Sequence, residues 1–220
     1  MTAWPGTATW PRTIAGGPTL LSADSFNRAN SATSLGSTDG AGTKDPAVWA
    51  CPAGCTMGIA ANVATGETYD ATTGNAVGTV ALGASDVDIH VTVPLINTSG
   101  LCFRFTDRLN YWYLCSVAGG GGNTILARLV AGAIQTVGTL AGAALNDVLR
   151  VVASGANVTA YRAGTQIFTT SSAFNQTAQS HGLFDGSFIS GAATFDNWSA
   201  SSLTGGSSPY PWPPGSAWPT

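Results

Sequence analysis

The stretch "DVDIH" places two carboxylates and an imidazole within five residues: Asp86, Asp88 and His90. At strand spacing all three fall on one face, because side chains at i and i+2 point the same way. Two carboxyl groups about 5–10 Å apart are what glycoside hydrolysis needs, one as acid and one as nucleophile or base. The chain offers little else for that chemistry, since Glu67 is its only glutamate. The alternation that aligns Asp86, Asp88, His90 and Thr92 also aligns Val87, Ile89, Val91 and Val93 on the opposite face. The polar row therefore reads as the solvated side of an antiparallel strand. Serine-hydrolase chemistry lacks its Gly-x-Ser-x-Gly elbow, and His181, opening "HGLFDG", reads as a turn or strand-edge residue. "GGGGN" at 119–123 has no Lys-Ser/Thr after it and reads as a loop, not a phosphate cradle. No catalytic residue is assigned, and the chain is not expected to be an enzyme.

The four cysteines leave two readings open. Cys51 and Cys55 bracket "PAG" in a tight loop, and Cys102 and Cys115 face each other in a hairpin register described below. Either pair is a disulfide candidate. Free thiols are the alternative, favoured at first if assembly takes place in a reducing cytoplasm. A four-cysteine zinc site would need knuckle spacing in the second pair, which is absent. No cofactor and no metal site is assigned. Asp39, Asp45, Asp70 and Asp107 sit in loops where structural calcium would bind, but their spacing is not diagnostic. Sugar binding needs exposed aromatics and hydrogen-bonding groups on one sheet face. Arg104, Tyr111 and Tyr113 are the candidates, with a cross-strand cation–π and hydroxyl ladder as the structural alternative.

The elements that must position these groups are strands. Charged residues are only 9% of the 220 residues, and the net charge is −3, which excludes a basic nucleic-acid surface. Glu, Lys and Gln are scarce, while Thr, Val and Gly abound, a mixture that favours strands and turns. No apolar run is long enough for a membrane span. The N-terminus, with Pro5, Pro11 and Pro18, does not resemble a signal peptide. Between about 21 and 203, short alternating segments recur, among them "TMGIAAN", "NAVGTVAL", "DVDIHVTVPL", "NTILARLV", "AIQTVGTL", "DVLRVVAS" and "TQIFTTS". "AVWACP" also qualifies, and "SFNRANSATSLG" is the one stretch with weak helical character. Many short strands with frequent turns predict an all-β, two-sheet antiparallel jelly-roll sandwich. In "GLCFRFTDRLNYWYLCSV", a turn at Arg108-Leu109 pairs Thr106 with Tyr111, Phe105 with Trp112, Phe103 with Leu114, Arg104 with Tyr113 and Cys102 with Cys115.

These residues resemble a known family. "ADSFNRANSATSLG" is similar to the Asp-x-Phe-Asn-Arg-Ala entry of concanavalin-like, laminin-G-like jelly rolls. "LCFRFTDRLNYWYL" resembles their Gly-Leu-x-Phe-Arg and Asp-x-x-Asn-Tyr-Tyr hairpin, and "NVTAYRAGTQIF", "HGLFDG" and "ATFDNWSA" resemble their late strands. The resemblance covers about residues 22–200. Such domains are frequent in tail and capsid-associated proteins of bacteriophages, especially those infecting actinobacteria. The resemblance thus implies a structural virion component assembled in the host cytoplasm, a minor tail protein first of all. Alternatives are a capsid-decoration protein or a carbohydrate-binding module without catalysis, because this fold hosts several functions.

Two terminal segments lie outside that pattern: an extended arm over 1–21 and a hinge and arm over 204–220, flanking a domain at 22–203. Trp4 and Trp10, and again Trp212 and Trp218, stand six residues apart, each followed by proline. Polyproline II has three residues per turn, so each pair shares one side about 19 Å apart. Such arms are expected to anchor the chain on copies of itself or on other virion proteins. Folding back on their own domain is the alternative. A host cell-surface glycan is the remaining expected partner.

Overall fold

A computed structural model describes residues 18–203, except 53, 96, 118–121 and 188. The described residues form fourteen strands and no helix. In chain order these are β1 (Thr19–Asp24), β2 (Thr56–Ala60), β3 (Val63–Thr68), β4 (Ala76–Ala81), β5 (Val87–Val93), β6 (Ser99–Asp107) and β7 (Asn110–Val117). They continue with β8 (Asn123–Val130), β9 (Ala133–Ala141), β10 (Asp147–Ser154), β11 (Asn157–Arg162), β12 (Thr165–Ser171), β13 (Ser180–Asp185) and β14 (Thr194–Ser202). They make two antiparallel sheets packed as a jelly-roll sandwich. One runs β12-β11-β10-β5-β14-β3-β2, with β1 also on β14; the other runs β4-β13-β6-β7-β8-β9.

Alternation explains the layers. On β5, Val87, Ile89, Val91 and Val93 are fully buried, while Asp88, His90 and Thr92 are partly exposed. Each such side chain contributes about 1.5–3 kcal/mol of burial. They meet Leu101, Phe103, Trp112, Leu114 and Leu126 of the six-stranded sheet in the main core. The intervening residues of that sheet point away from the core. There Cys102, Tyr111, Tyr113, Cys115, Leu129 and Phe184 form a second apolar cluster.

The "ADSFNRA" stretch is not helical; it is an irregular segment tied to a buried carboxylate. Asp24 accepts hydrogen bonds from the Phe26 amide (2.8 Å), both terminal nitrogens of Arg28 (2.8 and 2.7 Å) and the Trp49 indole (2.6 Å). Arg28 also donates to the Leu35 carbonyl. Four donors on one buried acid outcompete a helix built from Ser, Asn and Thr, whose side chains favour turns over helix interiors. "AVWACP" forms only isolated bridges at Val48 and Ala50 instead of a strand. Two strands, β1 and β3, lie outside the segments read as strands from the sequence, and β1 begins at Thr19, inside the 1–21 segment.

The β6–β7 hairpin differs from the expected register by two residues. Cys102 lies opposite Tyr113, Phe103 opposite Trp112 and Gly100 opposite Cys115; the ladder then skips to Asp107 opposite Asn110. The cause is a bulge at Arg104, whose φ is +50°. Arg104, Phe105 and Thr106 stand against Tyr111 alone, and Phe105 leaves the core face for the face of Tyr111, with ring centroids 5.7 Å apart.

Candidate functional site

The bulge shapes one end of the sandwich. Arg104 turns its guanidinium inward, where it is fully buried; Nη2 donates to the Gly155 carbonyl (2.6 Å) and lies 3.6 Å from Asp86. Its Nε and Nη1 have no hydrogen-bond partner among the described residues. Beneath it lies His181, also fully buried. The Arg104 amide donates to His181 Nδ1 (3.2 Å), and His181 Nε2 is 3.0 Å from the Ala84 carbonyl. Since a carbonyl only accepts, the proton is on Nε2 and the ring is neutral. Burial, with Arg104 nearby, lowers the His181 pKa to about 4.

Over this base the chain crosses from β12 to β13, and so from one sheet to the other, through residues 172–179. Asn175, at φ +52°, anchors the crossing: its side-chain amide donates to the carbonyls of Arg104 (3.1 Å) and Asn110 (2.9 Å). The Trp112 indole donates to the Phe174 carbonyl (3.0 Å). The Arg128 guanidinium lies over the rings of Trp112 and Phe174 and donates to Ser172. Asparagine is among the few residues that readily take a left-handed backbone, so these contacts fix the loop with little strain.

Between loop and hairpin lies an open cavity of about 770 Å³, lined by Phe105, Thr106, Ala173, Asn175, Gln176, Thr177 and Ala178. None of these residues is charged. Phe105 is half-buried, with its ring packed on Tyr111. The side chains of Thr106, Gln176 and Thr177 make no hydrogen bond to any described residue. A half-buried aromatic residue, the unpaired amide of Gln176 and the hydroxyl residues Thr106 and Thr177 thus line a cavity sized for a small molecule. Sequence reasoning did not single out Phe105, Asn175, Gln176 or Thr177. The available signal was the polar "NQT" run directly after Phe174.

The expected sugar platform is not on the surface. Arg104 and Tyr111 are fully buried and Tyr113 is 6% exposed. The bulge that sends Arg104 into the sandwich end separates it from the two tyrosines. Tyr113 stacks on Phe184 at 4.3 Å, and the Tyr111 hydroxyl accepts a hydrogen bond from Asn75 (2.7 Å). Burial raises the pKa of both phenols.

Cys51, Cys55, Cys102 and Cys115 are free thiols. The register shift takes Cys115 away from Cys102, and burial pushes both of these thiols up, Cys115 to about 12. Cys51 is partly exposed and Cys55 is buried. The Cys55 thiol donates to the Pro52 and Val77 carbonyls (3.3 and 3.7 Å), and the neighbouring Cys55 together with burial holds Cys51 protonated, well above its ordinary value.

The "DVDIH" carboxylates are engaged in ion pairs. Asp88 holds Arg150 in a two-pronged pair (2.7 and 2.6 Å), and Arg150 lies over the Tyr161 ring. Asp86 lies before β5; it accepts the Gly155 amide (2.9 Å) and approaches Arg104. His90 contacts the Ser199 hydroxyl at 2.5 Å, and burial lowers its pKa. The Asp that would orient this histidine in a triad is the one bound to Arg150. The loop aspartates are likewise separate. Asp39 caps Ser25, Asp45 binds Ser22, Thr38 and the Gly42 amide, Asp70 binds Thr73 and Arg108, and Asp107 binds Asn110. Among the described residues, no three His, Cys, Asp or Glu side chains are grouped as a metal would require. No described helix is long and apolar enough to cross a membrane. Trp4, Trp10, Trp212 and Trp218 lie outside the described residues.

No protein-family model matches this chain, and no curated protein is significantly similar to it. Solved structures do share its architecture. The carbohydrate-binding module CBM66 from Bacillus subtilis superposes with a TM-score of 0.56 at 17% identity, over 70% of this chain and 95% of that one. The GH43 protein BlXynB from Bacillus licheniformis (K247S mutant) gives 0.48 at 12% identity, over 82% of this chain and 38% of that one. The galectin LEC-6 from Caenorhabditis elegans gives 0.40 at 10%, over 54% and 84%. The first likeness establishes a shared concanavalin-like sandwich fold alone; the two weaker ones add nothing to it. The bacteriophage placement implied by the sequence motifs rests on those motifs only.

Proposed function

We propose that this protein is a non-catalytic carbohydrate-binding domain whose end cavity takes a neutral glycan. The observation that carries this reading is the lining: one half-buried aromatic ring with Gln176, Thr177 and Thr106, all uncharged and hydrogen-bonding to no described residue. Sugars present apolar C–H faces, which pack on an aromatic ring, and hydroxyls, which pair with amides and side-chain hydroxyls. An uncharged lining favours a neutral ligand over an acidic one, because an anion would lose hydration with no cation to replace it. The shared fold with a carbohydrate-binding module supports the same class. Adhesion to a host-surface glycan, as part of a virion or otherwise, is a use to which such a cavity is suited.

The test is a glycan array probed with the full chain, alongside Phe105→Ala and Gln176→Ala. Binding to neutral oligosaccharides that both variants lose, with unchanged melting temperature, supports the reading. Binding that both variants retain places the sugar elsewhere. Binding only to acidic glycans contradicts the role given to the lining.

A further inference from the structure

Strand β9 is the edge of the six-stranded sheet and, among the described residues, pairs with β8 alone; at its last residue the Ala141 carbonyl also accepts from the Arg162 guanidinium of β11 (3.1 Å). It is nine residues long and exposed along nearly its whole length. No charge and no proline occurs from Ala133 to Asn146. Edge strands of monomeric proteins are normally shielded by charges, prolines or short length, since open backbone groups template pairing with another strand. Here the reverse holds. Of the nine large hydrophobic side chains exposed among the described residues, Ile134, Val137 and Leu140 lie on this edge and Leu145 in the segment just after it. That concentration marks a contact surface.

The identity of the partner follows from a bulge. Opposite β8, Ile134 faces Leu129, Thr136 faces Ala127 and Thr139 faces Ile125, so these three share the outer face. Gln135 faces Arg128, Gly138 faces Leu126 and Leu140 faces Thr124, on the other side. Val137 is the residue skipped in this ladder, and it shifts the alternation by one. A strand pairing with its own copy about a two-fold axis must bring same-face residues opposite each other. With this shift, an axis between Val137 and Gly138 does so along the strand. Thr136 meets Thr139 of the second copy, Gln135 meets Leu140, and Ile134 meets Ala141. At the axis the bulky Val137 meets Gly138, large against small. The uncharged edge carries no like-charge penalty for self-pairing.

We propose that β9 is a homodimer interface, two copies pairing antiparallel about this axis so that their six-stranded sheets become continuous. This rests on neither the glycan site nor the tryptophan arms. Sedimentation velocity of the full chain over a concentration series reads it directly. The wild type is expected to reach twice the 22.2 kDa chain mass. Thr136→Lys and Thr139→Lys, each placing lysines beside the axis, are expected to raise the dimer dissociation constant about tenfold or more. If a variant loses its strand dichroism, amide hydrogen exchange on the wild type decides instead. The β9 amides should exchange more slowly at high than at low protein concentration, while those of the β12 edge should not. A wild type that stays monomeric overturns the proposal. So does a dimer that survives both lysines, or one whose β9 exchange does not depend on concentration.

Discussion

His181 makes a measurable link between proton uptake and unfolding. In the fold its ring is neutral and closed in by the Arg104 amide and the Ala84 carbonyl, with its pKa lowered from 6.5 to about 4. Unfolding releases the ring to its ordinary value. At about 1.36 kcal/mol per pH unit, the difference is worth about 3 kcal/mol. The sign follows from linkage. Above pH 6.5 both states hold the ring neutral and nothing is lost. As pH falls from 6.5 toward 4 the unfolded state takes the proton first, so stability declines through that window and levels off below it. Urea unfolding of the wild type and of His181→Gln across this range isolates the effect, because glutamine can offer both a donor and an acceptor without titrating. His90 is lowered in the same sense but is present in both proteins, so it cancels in the comparison. The wild type should lose about 3 kcal/mol more than the variant between pH 6.5 and 4. Parallel pH profiles, or an NMR titration of His181 near 6.5, would refute the buried neutral assignment.

Further outcomes are expected elsewhere in the fold. Asp24→Ala should cost about 3–5 kcal/mol in chemical denaturation, because it strands the partly buried Arg28 charge and the buried Trp49 indole together; a loss under about 1 kcal/mol would show that water replaces the carboxylate. A thiol reagent applied to the native protein should modify the partly exposed Cys51 well before the fully buried Cys102 and Cys115, which need unfolding to react; equal rates at these three would contradict the burial described. Asn175→Ala should weaken glycan binding and cost about 1–2 kcal/mol in stability, since two carbonyls lose their donor; calorimetric titration and thermal melting read the two effects separately.

Much of the architecture is legible in the chain. The Val87, Ile89, Val91, Val93 alternation specifies a half-buried antiparallel strand, and β5 is one, with its polar row outward. The site is less legible because it depends on a backbone irregularity. Nothing in "CFRFTD" marks Arg104 as the residue that will take a positive φ, yet that one bulge moves Phe105 to the cavity and Arg104 into the interior. It also slides Cys102 out of line with Cys115. A two-residue slip leaves the polar and apolar alternation unchanged up to Phe103, so periodicity alone could not detect it. Asn175 and Gln176 come into position only because the chain changes sheets between β12 and β13, a long-range event that a local pattern does not encode. Strand β3 escaped notice because "VATGET" carries small and polar residues whose burial comes from packing against neighbours, not from their own hydrophobicity.

Whether the end cavity holds a neutral glycan is decided by mapping amide chemical shifts of the labelled full chain during titration with the best-binding neutral oligosaccharide. Saturable shifts are expected at Phe105, Thr106 and residues 173–178, with the outer face of β5 and β10 unmoved. Shifts centred on Asp88, His90 and Arg150, or none at all with every neutral glycan tried, would contradict it.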